Sequence, residues 1–250
     1  MEVKLTNSAK KFLVFSYFGI TEDELEENNE SVRKSIAMKC AERAYLDMCR
    51  TLTFSEKMDG RTKEEKDEIK EKRKKFRDDI CDLIVKNLIK SPGDKGLFEG
   101  SPKGFCGRHY DLCVEIKDTA NNYEGNSGLL LKRNEENKEP FSHGQAQKWL
   151  NMTIKYMLMF QCFDYLIDED YKGKLHVPVD SYVIKAAKEL QKDEELAAKI
   201  KISPKAWSKW NEGEYKEFQD SLRTALGTRS PIEWEERVWI ERAKELRENN

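Results

Sequence analysis

The amino-acid sequence predicts an all-α protein. Three observations lead there: apolar residues recur at three- and four-residue steps, strand-like alternation is nearly absent, and a charged content of 37% accompanies 38% hydrophobic and 10% aromatic residues. That balance describes helices with an apolar stripe and a heavily charged outer face. With 250 residues the chain is long enough to bury a sizeable core.

The elements follow in order. Lys34 to Phe54 places Ile36, Ala37, Cys40, Ala41, Ala44, Tyr45, Met48, Cys49 and Leu52 on one face. Gly60 interrupts the pattern. A second long helix begins at Thr62, with acids early and Phe76, Ile80, Leu83, Ile84 and Leu88 on its apolar side, and ends at Ser91-Pro92-Gly93. Its basic run, Lys70 to Arg77, is flanked at helical pairing distance by Glu64, Glu65, Asp67, Glu68, Asp78 and Asp79, so it reads as a solvated face and not a phosphate site.

Loops are expected from Ser91 to Gly104 and from Thr119 to Pro140, with a short helix, His109 to Ile116, between them. Gly144 to Phe163 is apolar nearly all round, which predicts a helix in the middle of its domain. Helices at Asp180 to Leu190, near Trp207 to Leu226, and from Pro231 to about Arg247 complete the chain, the last opened by Ser230 as cap and a first-turn proline. The loop pattern divides the chain into a charged, long-helix part over 1–92 and a helical part over 105–250.

A net charge of −2 offers a polyanion no broad attraction, although 45 basic side chains leave room for a local basic surface. The six cysteines show no Cys-x-x-Cys spacing and read as buried free thiols. Three widely separated histidines give no zinc signature, so neither a metal nor a cofactor is expected. No apolar run is long enough for a membrane span, and Met1-Glu2-Val3-Lys4 lacks a signal-peptide core, which predicts an intracellular, cytoplasmic protein without a membrane partner.

Two residues carry the chemistry. Lys148 is near the start of a helix, where the macrodipole favours acids; burial beside Trp149 and Met152 would further disfavour its charged form, and a neutral amine is what a nucleophile needs. Asp180 follows Pro178-Val179 and precedes Ser181-Tyr182-Val183, the text of a helix N-cap. The intervening segment is long enough to return and bring the two helix starts together, where converging dipoles favour an anion such as phosphate.

The stretch Phe141-Ser142-His143-Gly144-Gln145-Ala146-Gln147-Lys148-Trp149, followed thirty-two residues after Lys148 by Asp180, resembles the helix-hairpin-helix DNA glycosylase superfamily, most closely its 8-oxoguanine glycosylase branch of archaeal type. The resemblance covers roughly Phe141 to Ala187. It implies a DNA-repair glycosylase/lyase in which Lys148 attacks the sugar of a flipped, damaged base to form a Schiff base while Asp180 stabilises the sugar cation. Gly144, Gln147 and Trp149, in the turn and first helical residues around Lys148, are the candidate binding residues, and DNA or a nucleotide is the expected partner. The turn carries one glycine where the superfamily has a pair. No four-cysteine cluster follows Cys162, which excludes the iron-sulfur branches.

The alternatives are a non-catalytic module on the same scaffold that binds nucleic acid, a nucleotide or a protein, and an interaction protein working through its amino-terminal helices. Trp207 and Trp210, interleaved with Lys205 and Lys209, are weighed as base-stacking platforms, while Trp234 and Trp239 read as core.

Overall fold

The computed structural model describes residues 5–27, 29–89, 96–98, 104–125, 128–133, 139–160, 163, 166, 169–191 and 200–248. It is helical, as the periodicity predicts. Short amino-terminal helices α1 (Asn7–Phe18) and α2 (Glu22–Glu26) precede α3 (Glu30–Met48), which runs into a 3₁₀ turn, Cys49–Thr51. α3 starts before the predicted Lys34 because the Asn29 side chain accepts the Val32 N–H and caps it there.

α4 (Lys63–Leu88) opens on a reciprocal capping box between Thr62 and Glu65. Its basic run is spent on local acids: Lys70 on Asp67, Lys74 on Asp78, and Arg77 on Asp78 and Glu42. α5 (Phe105–Asn121) is a turn longer at each end than the predicted helix. The loop expected between Ser91 and Gly104 lies largely outside the described residues, as does Cys162. The second predicted loop holds a small antiparallel ribbon, β1 (Glu124–Gly125) with β2 (Gly128–Leu129), and Leu131 bridges to Phe54.

α6 (His143–Leu158) opens on a second capping box, Ser142 with Gln145, and is buried on every side except at Lys155 and Leu158. It ends earlier than the apolar run suggests, because Met159 and Phe160 donate back only three residues, tightening the last turn. Then come α7 (Glu169–Lys172), α8 (Ser181–Leu190), a 3₁₀ turn at Trp207–Lys209, α9 (Glu212–Leu226) and α10 (Pro231–Glu248). The Ser230 hydroxyl, expected to cap α10, has no hydrogen-bond partner.

Two apolar clusters form. One joins α3, α4, α5 and α6 around Phe76, Ile80, Trp149 and Met157; the other gathers Val177, Val179 and the inner faces of α8, α9 and α10 around Trp210 and Phe218. Cys106 and Trp207 touch both clusters. α6 is the axle, packed on α3 and α5 on one side and on α9 and the Trp207 turn on the other. No helix among the described residues is long and apolar enough to cross a membrane.

Candidate functional site

The connection from α6 to α8 turns back as its length allows. Gln147 on α6 accepts the Val179 N–H on Oε1 (3.2 Å) and donates from Nε2 to the Val179 carbonyl (3.3 Å), so the backbone just before Asp180 is clamped to the helix carrying Lys148. Gln219 on α9 clamps Val177 in the same way (3.2 and 2.8 Å). Two amide side chains thus treat an extended strand of backbone as a ladder partner, and none of its polar groups at those positions is left unpaired.

Lys148 Nζ then lies 2.9 Å from Asp180 Oδ2. Lys148 is in the second turn of α6, and only 6% of its side chain is exposed. Asp180 is the N-cap of α8, as its sequence context predicts: Oδ1 accepts the N–H groups of Tyr182 (2.9 Å) and Val183 (3.0 Å). Oδ2 accepts the lysine and the Trp239 indole N–H (3.3 Å). One oxygen holds the helix, and the other faces the site.

That face is a cavity of about 450 Å³. Met152, Tyr182, Trp207 and Trp239 give it apolar and aromatic walls around Lys148 and Asp180. Tyr182 and Trp239 contact each other at a ring-centroid distance of 5.5 Å, and Trp239 remains 38% exposed, so an aromatic face is presented to a visitor. On the opposite side Tyr156 donates to Asp47 (2.5 Å), which leaves Tyr17 to donate to Tyr156 (2.9 Å), and the Arg43 guanidinium lies 3.8 Å from the centre of the Tyr17 ring. Arg43, Arg50, Lys148 and Lys155 set four cations against the carboxylates of Asp47 and Asp180. Arg43 pairs with Asp47, Lys148 with Asp180 and Lys155 with Glu235, so the cavity's excess of positive charge rests on Arg50.

Lys155, two turns beyond Lys148, pairs with Glu235 of α10 at 2.6 Å. Burial pushes the Glu235 carboxyl above its ordinary range, against the opposing pull of Lys155, and its Oε1 has no hydrogen-bond partner.

The other predicted binding residues build the site without lining it. Gly144 donates its N–H to the Trp210 carbonyl (2.9 Å), and a Cβ there would land on the Trp207 carbonyl oxygen. Gln147 is wholly buried in its clamp. Trp149 is wholly buried and donates its indole N–H to the Ala41 carbonyl (2.9 Å), which joins α6 to α3. Of the tryptophans, Trp207 lines the cavity and Trp210 and Trp234 are core, whereas Trp239, read from sequence as core, is a cavity wall. Its one-sided pairing with Tyr182 was not visible in the apolar pattern of α10. Tyr17, Arg43, Lys155 and Glu235 also escape sequence reading, because each acquires its role from a partner many residues away.

Compared with protein-family models, curated proteins and solved structures, the chain matches none.

Proposed function

We propose that the chain is a DNA glycosylase/lyase-like enzyme acting on a damaged or modified base through a Schiff base on Lys148. The observation that carries the reading is the amine 2.9 Å from a carboxylate inside an aromatic, locally cationic cavity of about 450 Å³. Such a volume accommodates one extruded nucleobase with its sugar at the rim.

The chemistry follows from the placement. Asp180 takes the lysine proton, hands it on to the departing base, and as the carboxylate so regenerated stabilises positive charge developing on the sugar. The free amine attacks C1′; the carbon–nitrogen bond to the base breaks, and the base leaves with the bonding pair and acquires a proton. In the resulting N,O-acetal the nitrogen lone pair forms the C=N bond as the bond from C1′ to the ring oxygen breaks and that oxygen takes a proton, which gives the Schiff base. Trp239 supplies a stacking face for the base. Arg43 and Arg50 at the cavity supply charge for backbone phosphate.

Sodium borohydride trapping tests this on duplex and single-stranded oligonucleotides carrying abasic, 8-oxoguanine and uracil sites. A covalent adduct is expected with the native protein and none with Lys148→Gln; an adduct that survives the substitution removes Lys148 from the role.

The second reading is a non-catalytic module that binds a nucleotide or nucleic acid at the same cavity. The close ion pair favours it, since Lys148 and Asp180 satisfy each other and tie α6 to α8 without any reaction. Saturable binding of an abasic oligonucleotide by folded protein, with no borohydride adduct on any substrate, would select it.

A further inference from the structure

All three histidines of the chain meet in one buried cluster with Tyr110, Asn151 and Tyr215, behind the candidate site. The rings of His109 and His176 are 4.2 Å apart, and His143 lies 5.2 Å from Tyr215. Among the described residues no three metal-binding side chains converge, so the cluster is not a metal site of that kind. Its hydrogen bonds instead have a direction, which the backbone fixes.

The Val179 N–H can only donate, so Gln147 presents its oxygen there. That same oxygen faces Asn151 Nδ2 at 3.0 Å, which orients the Asn151 amide. Asn151 Oδ1 consequently accepts from His109 Nε2 (2.6 Å), leaving His109 Nδ1 to accept from the Cys113 thiol (3.7 Å). Asn151 Nδ2, which also faces the Val177 carbonyl at 3.3 Å, lies 2.9 Å from Tyr215 Oη and cannot accept, so Tyr215 keeps its one hydroxyl proton for His176 Nδ1 (2.8 Å). Neutral His176 then carries its proton on Nε2, 3.4 Å from Cys106 Sγ. From the Cys113 thiol through His109, Asn151, Tyr215 and His176 to Cys106 the donors point the same way, and aligned hydrogen bonds polarise one another.

Cys106 is the end of the chain. Its sulfur also faces Arg223 Nη1 at 3.7 Å, and the guanidinium is held there by Nη2 donating to the Lys174 carbonyl (3.0 Å). Cys106 lies in the first turn of α5 and, unlike Cys40, Cys81 and Cys113, is only half-buried. Negative charge forming on that sulfur meets an imidazole N–H, a guanidinium and a helix amino terminus.

A separate observation is a set of buried polar groups without partners, starting one turn along α5 from Cys106. Tyr110, one turn further along α5 and only 7% exposed, has a hydroxyl with no partner, and its ring is 5.3 Å from that of His176. His143, 2% exposed and 6.5 Å from the Tyr110 ring, has no partner on either nitrogen. Orphaned polar groups buried together are where a water or a small hydrogen-bonding molecule belongs.

We infer that Cys106 is an oxidation site for hydroperoxides, activated by the one-way chain through His176 and by Arg223. The sulfur attacks one oxygen of hydrogen peroxide; the S–O bond forms as the O–O bond breaks. Sulfur loses two electrons, and the departing oxygen gains them and leaves as hydroxide, which takes a proton to become water. The thiol proton is released, and the product is a sulfenic acid. The other described cysteines are poorly placed for this. Cys40, Cys81 and Cys113 are buried, and half-buried Cys49 spends its S–H on the Leu46 carbonyl, with burial raising its pKa.

The test treats the native full chain briefly with sub-stoichiometric hydrogen peroxide in the presence of dimedone, which traps sulfenic acid, and reads adducts by peptide mass spectrometry. Cys106 is expected to label about tenfold ahead of Cys49, its internal reference. Equal labelling of the two, or none on Cys106, overturns the inference. Tyr215→Phe removes the proton that sets the His176 tautomer, and Arg223→Gln removes the guanidinium. Each is expected to slow Cys106 several-fold while leaving Cys49 unchanged; a Cys106 rate indifferent to both overturns the assigned activation. A variant that unfolds reveals itself by labelling buried Cys40, and the native comparison of Cys106 with Cys49 still decides.

Discussion

Asp180 uses its two oxygens for two tasks, which substitution can separate. Asparagine is as good a cap as aspartate, so Asp180→Asn keeps the bonds to Tyr182 and Val183 but strands the Lys148 ammonium in a nearly closed site. Breaking a buried pair from one side costs about 3 kcal/mol or more, whereas exchanging both partners for neutral ones costs much less. Asp180→Asn is therefore expected to lower the urea midpoint, and the double change Lys148→Gln with Asp180→Asn to recover most of the loss. Additive losses in that cycle would show that the two residues do not act as a pair. Both forms are expected to give no borohydride adduct, so stability and chemistry move independently.

At the scale of elements, the start of α6 is fitted against the Trp207–Lys209 turn so closely that only glycine is accommodated at 144. Gly144→Ala is expected to cost about 2 kcal/mol by overpacking and to displace Trp207, a wall of the cavity. Thermal unfolding measures the first effect. The second appears as weaker binding of an abasic oligonucleotide than thermal stability alone would account for, and unchanged unfolding would refute the contact. Part of this level was legible beforehand: the capping text at Asp180, the helix start at Thr62, the all-round burial of α6, and the acid-neutralised basic run of α4 are local signals, whereas the Ser142 capping box was not read and Ser230 does not cap with its side chain. α1 and α2 were not foreseen. α1 presents Phe12, Leu13 and Phe15 to solvent, so its sequence carries no clear two-faced pattern.

The whole molecule responds to acid through its histidines. Burial pushes His109 down to about 3 and His143 down to about 4, the latter also opposed by Lys117, and holds His176 well below its ordinary value, with His109 and Arg223 adding to the effect. An unfolded histidine takes a proton near pH 6.5, whereas these stay neutral in the fold. The unfolded chain therefore binds more protons as pH falls below about 6.5, and stability declines from there until the native pKa values are passed. Each histidine contributes up to about 1.4 kcal/mol per pH unit in that window. Urea midpoints between pH 7.5 and 5 should fall steeply, and His143→Gln should make the decline shallower; a flat profile would mean the cluster admits protons while folded. Sequence reading could not see this. Residues 109, 143 and 176 lie more than thirty positions apart, and only the packing of α5, α6 and the backbone ahead of α8 makes them neighbours.

Lys148 and Lys155 lie two turns apart on one stripe of α6, about 10 Å along the axis, and each is matched by a carboxylate on a different later element, Asp180 at α8 and Glu235 on α10. An apolar rod buried on all sides has little to tell it which way to face, because one oily side packs much like another. The two lysines remove that freedom together with the Gln147 clamp, the Trp149 hydrogen bond and the close fit at Gly144. Turning α6 by a single residue would take both ammonium groups away from their carboxylates at once, so the axle of the fold is keyed against rotation by two opposite-charge contacts that leave no net charge between them.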